Sequence, residues 1–290
     1  MRPFAMKTYE SLGRRINWWS VADTSGEGMP IVFLHAFPLN SEMWGPQVAL
    51  RQDGIELFAY DIFGFGGSDA ASKADDYTIE ALISDVHNFI RDVVKRPAVI
   101  CGLSLGSYIA LRAALADEDD IAGLVLASVG AGSDEPEKFR KEIDECAATY
   151  EDHGIEAFLT SLFEDPSFGD ARKLGPATFD RMVRSNPRDG VVLTARHILA
   201  PRTPVSSLTQ GLRALKAPTL ILVGRKDVEC LDPAAFLVRN IPTSTLEIFE
   251  GCGHFINMEK TDLFNSKISE FVRGIKDDPA RMSSRRMVSE

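Results

Sequence analysis

The sequence predicts an α/β protein with a mostly parallel sheet, helices on both faces and an inserted helical cap. Short apolar runs alternate with longer amphipathic ones in the first half of the chain. This alternation stops over residues 130–206 and then resumes. Strands that alternate with helices form parallel sheets joined by right-handed crossovers. We therefore expect one core made of residues 1–129 and 207–290, and a helical cap (lid) at residues 130–206.

The predicted strands are short runs rich in Val, Ile, Leu and Phe, bounded by Gly, Pro or Asp. They are residues 31–36 (IVFLHA), 57–62 (LFAYDI), 98–103 (AVICGL), 122–128 (AGLVLAS), 219–227 (TLILVGRKD) and 244–250 (STLEIFE). Continuous apolar runs of this length are typical of strands buried on both faces of a sheet.

Helices are predicted where apolar residues recur at helical spacing. Residues 78–94 place seven apolar side chains on one stripe, with Thr78 at the start. The other core helices are predicted at 105–116, 233–239 and 263–274, and the cap helices at 137–150, 155–163, 177–184 and 191–199. The cap offers no convincing strand, and prolines punctuate it.

Composition and charge exclude several classes of partner. The chain has 290 residues, 44% hydrophobic and 26% charged, which are ordinary values for a globular protein. A net charge of −10 disfavours nucleic-acid and anionic-membrane surfaces. No run approaches the roughly 18 apolar residues of a membrane span. We expect a cytoplasmic protein without a membrane partner, whose four cysteines stay reduced.

A serine motif follows the strand at residues 98–103. The segment Gly-Leu-Ser-Leu-Gly centres on Ser104, with glycines two residues before and after it. Such a sharp turn from strand into helix lifts one hydroxyl clear of the sheet and brings its flanking residues together, so both must be small. Helix N-terminal N–H groups can then stabilise an oxyanion. The motif predicts that Ser104 is a nucleophile rather than an N-capping serine.

The predicted partners of Ser104 follow later strands. Asp227 ends the run at 219–227, and His254 lies in a glycine-flanked loop beyond the last strand. A serine hydroxyl needs an imidazole to take its proton, and a carboxylate orients that imidazole. Asp227 is favoured because its loop can reach that of His254. The alternative carboxylates are Glu229, Asp232 and Asp134, and the histidines interpreted as structural are His87, His153 and His197.

The oxyanion donors are expected to be two backbone N–H groups. One belongs to Leu105, directly after the serine, and the other to Phe37, in the His-Ala-Phe-Pro loop that follows the first long strand. His35 is expected to hold this loop in place through its ring. The glycine-rich segment 61–69 lacks both the GxGxxG spacing and a following helix, so we do not expect it to bind phosphate.

Together these motifs make the chain resemble the α/β-hydrolase superfamily, over most of its length apart from the cap. The resemblance implies an eight-stranded sheet, an acyl-enzyme mechanism, no cofactor and no metal. It is nearest in style to carboxylesterases, enol-lactonases, cofactor-free haloperoxidases and carbon–carbon bond hydrolases. Two residues depart from the family pattern, Ala36 and Ser107, each where glycine is usual. Serine at position 104 disfavours the epoxide hydrolases and haloalkane dehalogenases, which have aspartate there.

The expected function is hydrolysis of carboxylic esters or lactones with small to medium acyl groups. The candidate pocket residues are Phe37, Phe158, Phe163, His197 and Phe255, and Phe168 is a further candidate. The partner is expected to be a small-molecule ester, lactone or ketone, and the sequence leaves open whether the chain is a monomer or a homodimer.

Two other functions stay open at this point. The first is carbon–carbon bond hydrolysis of a vinylogous diketone, which needs polar residues to hold a second carboxylate. The candidates for that role are Arg184, Arg188, Arg196 and Asn257. The second is a non-catalytic ligand receptor on the same fold.

Overall fold

The computed structural model describes residues 4–23, 28–129, 136–164 and 176–277. Eight strands form a single sheet in the order β1-β2-β4-β3-β5-β6-β7-β8. They are β1 Lys7–Ser11, β2 Arg14–Val21, β3 Met29–Leu34, β4 Ile55–Tyr60, β5 Ala98–Leu103, β6 Ile121–Ala127, β7 Thr219–Gly224 and β8 Ser244–Phe249. β2 runs antiparallel to both β1 and β4, and the other neighbours are parallel. This confirms the predicted α/β class.

The six predicted strands are all present, with ends shifted by at most three residues. β5 has its predicted bounds. β7 ends at Gly224 rather than Asp227, because the chain turns there: the N–H of Asp227 donates to the carbonyl of Gly224 at 3.0 Å. The turn moves Asp227 off the sheet and into a loop.

The sequence prediction missed the antiparallel edge formed by β1 and β2. β1 is mostly exposed and β2 only partly buried, so neither contains a continuous apolar run. Continuous apolar runs indicate strands that are covered on both faces. An edge strand with one face in water has no such run, so this pattern does not identify it.

Four of the core helices were predicted: α1 Ile79–Phe89, α2 Leu105–Ala116, α7 Val228–Asn240, which begins five residues before its predicted start, and α9 Thr261–Lys276. The short helices α6 Thr209–Ala214 and α8 Ile256–Glu259 were not predicted. A π-helical turn, Ile90–Val94, extends α1, and Thr78 caps its start by accepting the N–H of Ala81 at 3.2 Å. A 3-10 helix, Ser41–Asp53, was not predicted. Among the described residues, no helix has both the length and the apolar character needed to cross a membrane.

Helices inserted between β6 and β7 have the appearance of a cap. They are α3 Pro136–Glu164, α4 Pro176–Arg184 and α5 Arg188–Thr194, followed by a π-helical turn at Ala195–Leu199. Gly154 interrupts α3 with a φ of 79°, a left-handed conformation that glycine adopts without steric cost, which separates the two helices predicted there. The exact domain bounds at 130 and 206 stay a prediction. Phe168 and Asp134 lie outside the described residues.

The hydrophobic core lies on both sides of the central strands. Every residue of β5, β6 and β7 is buried, so helices must cover both faces. α2 packs against β5, and α9 packs against β6, where Ile275 and Phe271 fill the space left by Gly123. The carboxyl ends of β5, β7 and β8 meet at one edge of this sheet, and the residues that follow them form the candidate site.

Candidate active site

Ser104 occupies a strained turn between β5 and α2. Its φ of 56° and ψ of −110° lie in a region that non-glycine residues rarely adopt. Strain of this kind persists only where the surrounding structure holds it, and it is concentrated at functional sites. The N–H of Ser104 donates to the carbonyl of Ala127 on β6 at 3.0 Å, which anchors the turn to the sheet. The side chain is partly exposed, as a nucleophile requires.

Close packing around the turn explains both glycines of the motif. A Cβ added to Gly102 would lie 2.2 Å from the carbonyl carbon of Gly106. A Cβ on Gly106 would lie 2.0 Å from the carbonyl oxygen of Leu34. Real Cβ atoms do not approach backbone this closely, so any side chain at either position would force the turn open.

Ser107, one of the two departures from the family pattern, has a structural role. Its hydroxyl lies 2.7 Å from the carbonyl oxygen of Gly102 and 2.8 Å from that of Ala127. A hydroxyl has one proton, so it can donate to one of these carbonyls at a time. The side chain is fully buried and fastens the first turn of α2 to the ends of β5 and β6.

The structure brings His254 and Asp227 together. Nδ1 of His254 lies 2.9 Å from Oδ2 of Asp227, and both side chains are buried. A carboxylate can only accept, so this hydrogen bond places the proton on Nδ1 and leaves Nε2 of the neutral ring as an acceptor. Burial by itself raises the pKa of Asp227, but the charge and hydrogen bond of His254, with the thiol of Cys230, hold it below its ordinary value.

The competing carboxylates are not in this position. Glu229 and Asp232 are exposed on α7, whereas Asp227 is 2% exposed. Asp134 lies outside the described residues. His87 is paired with Asp120, and His153 is exposed on α3. Of the candidates that the structure describes, Asp227 and His254 are therefore the acid and the imidazole that meet at this edge of the sheet.

Glu259, which the sequence analysis did not single out, holds the histidine loop. Its carboxylate accepts the N–H of Gly253 at 2.8 Å and that of Phe255 at 3.2 Å, the residues on either side of His254. In the sequence, Glu259 is marked only by its position five residues after His254. The loop is also tied to its neighbour, since the N–H of Lys226 donates to the carbonyl of Cys252 at 2.8 Å.

His35 holds the loop that contains Phe37. The N–H of Ile62 donates to Nε2 of His35 at 2.9 Å, so the proton lies on Nδ1, which is 3.0 Å from the carbonyl oxygen of Ala36. Burial lowers the pKa of His35 to about 4, which keeps the ring neutral. The loop can thus present the N–H of Phe37. The N–H of Leu105 is the first in α2 and has no partner carbonyl within its own helix.

Asn186, two residues after the end of α4, joins the cap to two core loops and was also missed. Its amide nitrogen donates to the carbonyl of Pro38 at 2.7 Å, and its amide oxygen accepts the N–H of Gly66 at 2.8 Å. Asn40 adds a second link through a 2.9 Å hydrogen bond to the hydroxyl of Ser185. Single polar residues in a helical cap carry no sequence signal for such long-range contacts.

Aromatic rings extend from the histidine into the cap. Phe255 lies edge-on to His254 at 5.3 Å, Phe179 lies 5.6 Å from Phe255, and Phe163 lies 5.4 Å from Phe179. Phe37 belongs to a separate pair with Phe65 at 6.1 Å.

Phe158 and His197 stand apart from this row of rings. Phe158 is fully buried and stacks on Tyr150 at 4.7 Å, so it contributes to the interior of the cap. His197 is exposed and makes no ring contact with the described residues. Phe163 and Phe255, by contrast, belong to the row beside His254.

The polar candidates for a second substrate carboxylate are engaged elsewhere. Arg184 is paired with Glu156 and Asp180, and Arg196 with Glu151. Arg188 donates to the carbonyl of Glu151 at 2.7 Å. Asn257 is fully buried, and its amide donates to the carbonyl of Met43 at 3.1 Å.

One group among the described residues has the composition of a metal site, namely Asp227, Cys230 and His254. Their ligand atoms lie within 4.8 Å of one another. Burial and the nearby carboxylate of Asp227 raise the pKa of the Cys230 thiol well above its ordinary value. Asp227 and His254 already form a hydrogen-bonded acid and base, and the thiol of Cys230 lies beside them.

Comparison with known proteins identifies the family of this chain. The profile of the alpha/beta hydrolase family matches residues 31–266. An AB hydrolase superfamily protein of Bacillus subtilis, YisY, is 30% identical over 262 residues, which cover 85% of this chain and 92% of that protein. A thermophilic esterase from Thermogutta terrifontis is 26% identical with a TM-score of 0.78, covering 93% of this chain and 97% of that one.

A third comparison bears on the fold alone. The enol-lactonase of Burkholderia xenovorans LB400 has a TM-score of 0.78 at 21% identity, covering 92% of this chain and 100% of that chain. The family match spans most of the chain, including the serine turn and the loops of Asp227 and His254. The chain belongs to the α/β-hydrolase family.

Proposed function

We propose that this chain is a serine hydrolase that cleaves carboxylic esters or lactones of small to medium acyl groups. In this proposal Ser104 is the nucleophile, His254 is the general base and Asp227 orients the base. The observation that carries it is the 2.9 Å hydrogen bond between Nδ1 of His254 and Oδ2 of Asp227, at the same sheet edge as the strained Ser104. Similarity to an esterase supports the choice of ester substrates.

The reaction proceeds in two halves. Oγ of Ser104 attacks the carbonyl carbon while Nε2 of His254 takes its proton, and the N–H groups of Phe37 and Leu105 bind the oxyanion. His254 then protonates the leaving alkoxide, which departs and leaves an acyl-serine. Water attacks this ester, giving its proton to His254. The acid is released, and the proton returns to Ser104.

The row of aromatic rings beside His254 supports a substrate whose acyl group is apolar. Phe255, Phe179 and Phe163 would lie along such a group, and Phe37 would lie at the oxyanion loop. The ring of Phe37 is 8% exposed, so it offers a small accessible edge. We propose residues 130–206 as the cap that closes over this substrate.

A fluorophosphonate probe tests the nucleophile. The probe phosphonylates an activated serine and releases fluoride, so the wild-type chain is expected to be labelled at Ser104. Ser104→Ala should abolish labelling, and Ser206→Ala, which changes an exposed serine, should not. An unlabelled wild-type chain would favour the non-catalytic receptor instead.

A substrate panel tests the reaction class. We expect p-nitrophenyl acetate and butyrate, and a simple lactone, to be hydrolysed faster than in buffer. Carbon–carbon hydrolysis is less well supported, because Arg184, Arg188 and Arg196 bind acidic side chains or backbone. Cleavage of a ring-fission diketone without any esterase activity would reverse this choice.

A further inference from the structure

Arg112, on α2, carries a guanidinium group that has no acidic partner among the described residues. Its Nη2 donates to Oγ1 of Thr203 at 3.1 Å. Its guanidinium carbon lies 3.7 Å from the centroid of the Tyr108 ring, and its Nη1 is buried without an acceptor. Burial lowers the pKa of Arg112, which indicates that its charge is only partly compensated.

Arg202, which directly precedes Thr203, repeats the same pattern. Its guanidinium carbon lies 4.3 Å from the centroid of the Phe139 ring on α3, and its Nε is buried without an acceptor. Burial lowers the pKa of Arg202 to about 10, and the nearby charge of Arg112 acts in the same direction. Arg112 is hydrogen-bonded to the residue next to Arg202, so the two cations lie on neighbouring parts of the structure.

The other half-buried arginines of the described residues have acidic partners. Arg14 pairs with Asp85 and Arg196 with Glu151. Among the residues that the structure describes, neither Arg112 nor Arg202 forms an ion pair, although the chain has 42 acidic residues. Glu229 acts on Arg202 only from outside ion-pair distance. Burying a charge without a partner is costly, so a pair of such groups suggests that a ligand supplies the negative charge.

An open cleft gives access to Arg202 and Thr203, and Arg112 lies behind its wall, hydrogen-bonded to Thr203. The cleft has a volume of about 880 Å³ and lies between the first half of α3 and the segment that leaves the cap, with Arg202 and Thr203 in its wall. Arg196, also in the wall, is paired with Glu151, whereas Arg140 and the carboxylates Glu137, Asp144 and Glu145 of the wall are exposed. Within the described part of the chain, Arg202 is therefore the half-buried arginine of the cleft that forms no ion pair. None of Ser104, Asp227 and His254 lines the cleft.

We propose that Arg112, Arg202 and the hydroxyl of Thr203 form a binding site for an oxyanion, the phosphate or carboxylate group of a small ligand. The planar fork of a guanidinium group matches both anions and binds them through charge-assisted hydrogen bonds. Because Oγ1 of Thr203 accepts from Arg112, its own proton can be donated to the ligand. The aromatic rings of Tyr108 and Phe139 hold the two guanidinium groups in place.

Calorimetric titration with inorganic phosphate and with glutarate tests the site directly. We expect one equivalent of at least one anion to bind the wild-type chain. Arg112→Gln and Arg202→Gln should each weaken binding about tenfold or more, the effect of losing a charged hydrogen bond. Arg51→Gln, which changes an exposed arginine elsewhere, should bind as the wild type does.

Thermal unfolding separates a binding effect from a folding defect. Removal of an unpaired buried charge should leave the melting temperature of Arg202→Gln unchanged or higher without anion, and phosphate or glutarate should stabilise only the wild type. Arg112→Lys keeps the charge but loses the fork, so intermediate affinity is expected. No stoichiometric binding of either anion by the wild type, or unchanged binding in both glutamine variants, would overturn the proposal.

Kinetic measurements can then distinguish an anion that is one end of a substrate from an anion that is a free ligand. If the anion is one end of a substrate, Arg202→Gln should raise KM for the monomethyl ester of glutarate and leave KM for methyl butyrate unchanged. If it is a free ligand, both KM values should stay unchanged while phosphate binding is lost. Because titration and unfolding need no turnover, failure of the proposed esterase function would leave this test intact.

Discussion

Nδ1 of His254 lies 2.9 Å from Oδ2 of Asp227, although the two residues are 27 positions apart in the chain. They meet because β7 and β8 are neighbouring parallel strands whose carboxyl ends open at the same edge. The hydrogen bond sets the tautomer of His254, and this is the basis of the first prediction.

Asp227→Asn should lower kcat by roughly three to four orders of magnitude, because an amide can donate to Nδ1 and favour the wrong tautomer. Hydrolysis of p-nitrophenyl butyrate measures the effect. Asp232→Asn is the matched control, since Asp232 is exposed on α7 and should be close to wild type. Equal activities of the two variants would contradict the role of Asp227.

Gly106→Ala should prevent proper folding of the serine turn. The new Cβ would lie 2.0 Å from the carbonyl oxygen of Leu34, which cannot move without disrupting β3. A loss of several kcal/mol in the free energy of unfolding, or an insoluble product, is expected. Gly274→Ala on α9 is the control: its Cβ would meet nothing within 4 Å, and helix propensity predicts a gain of about 0.5–1 kcal/mol. Urea unfolding measures both.

Glu259→Gln should reduce kcat while leaving the fold intact. The carboxylate accepts two backbone N–H groups that flank His254, and an amide has one acceptor oxygen for the two. Loss of one such bond costs about 1–3 kcal/mol and loosens the histidine loop. We expect a fall of roughly tenfold in kcat with little change in KM. Glu250→Gln, which removes an exposed partner of Arg225, should change neither constant.

His35 should make the protein less stable as the pH falls. Its pKa in the folded state is about 4, below the ordinary value of 6.5. Between these values the unfolded chain binds a proton that the folded chain does not, so stability decreases from about pH 6.5 towards pH 4. The slope is at most about 1.4 kcal/mol per pH unit.

Urea unfolding at several pH values measures that contribution. In His35→Gln the amide oxygen can still accept the N–H of Ile62. The slope of the free energy of unfolding against pH, between about pH 6.5 and 4, should decrease by an amount that corresponds to at most one proton. His153→Gln changes an exposed histidine and provides the comparison. An identical slope in His35→Gln and the wild type would contradict the assignment.

The sequence by itself determined most of the parallel core and the candidate catalytic residues. Strands buried on both faces produce continuous apolar runs, so β3 to β8 were predictable within three residues. Ser104 was found because its turn requires two glycines, and close packing at Gly102 and Gly106 explains that requirement. Asp227 and His254 are predictable as candidates because each follows the end of a strand.

Tertiary structure decided what depends on contacts between distant segments. The β1–β2 edge has no continuous apolar run, and Glu259 and Asn186 act through backbone groups that no local pattern identifies. Tertiary packing also placed Phe158 inside the cap and left His197 exposed. The physical reason is that apolar periodicity and glycine spacing are local properties of the chain. The partners of a polar side chain, by contrast, depend on which loops meet after the sheet has formed.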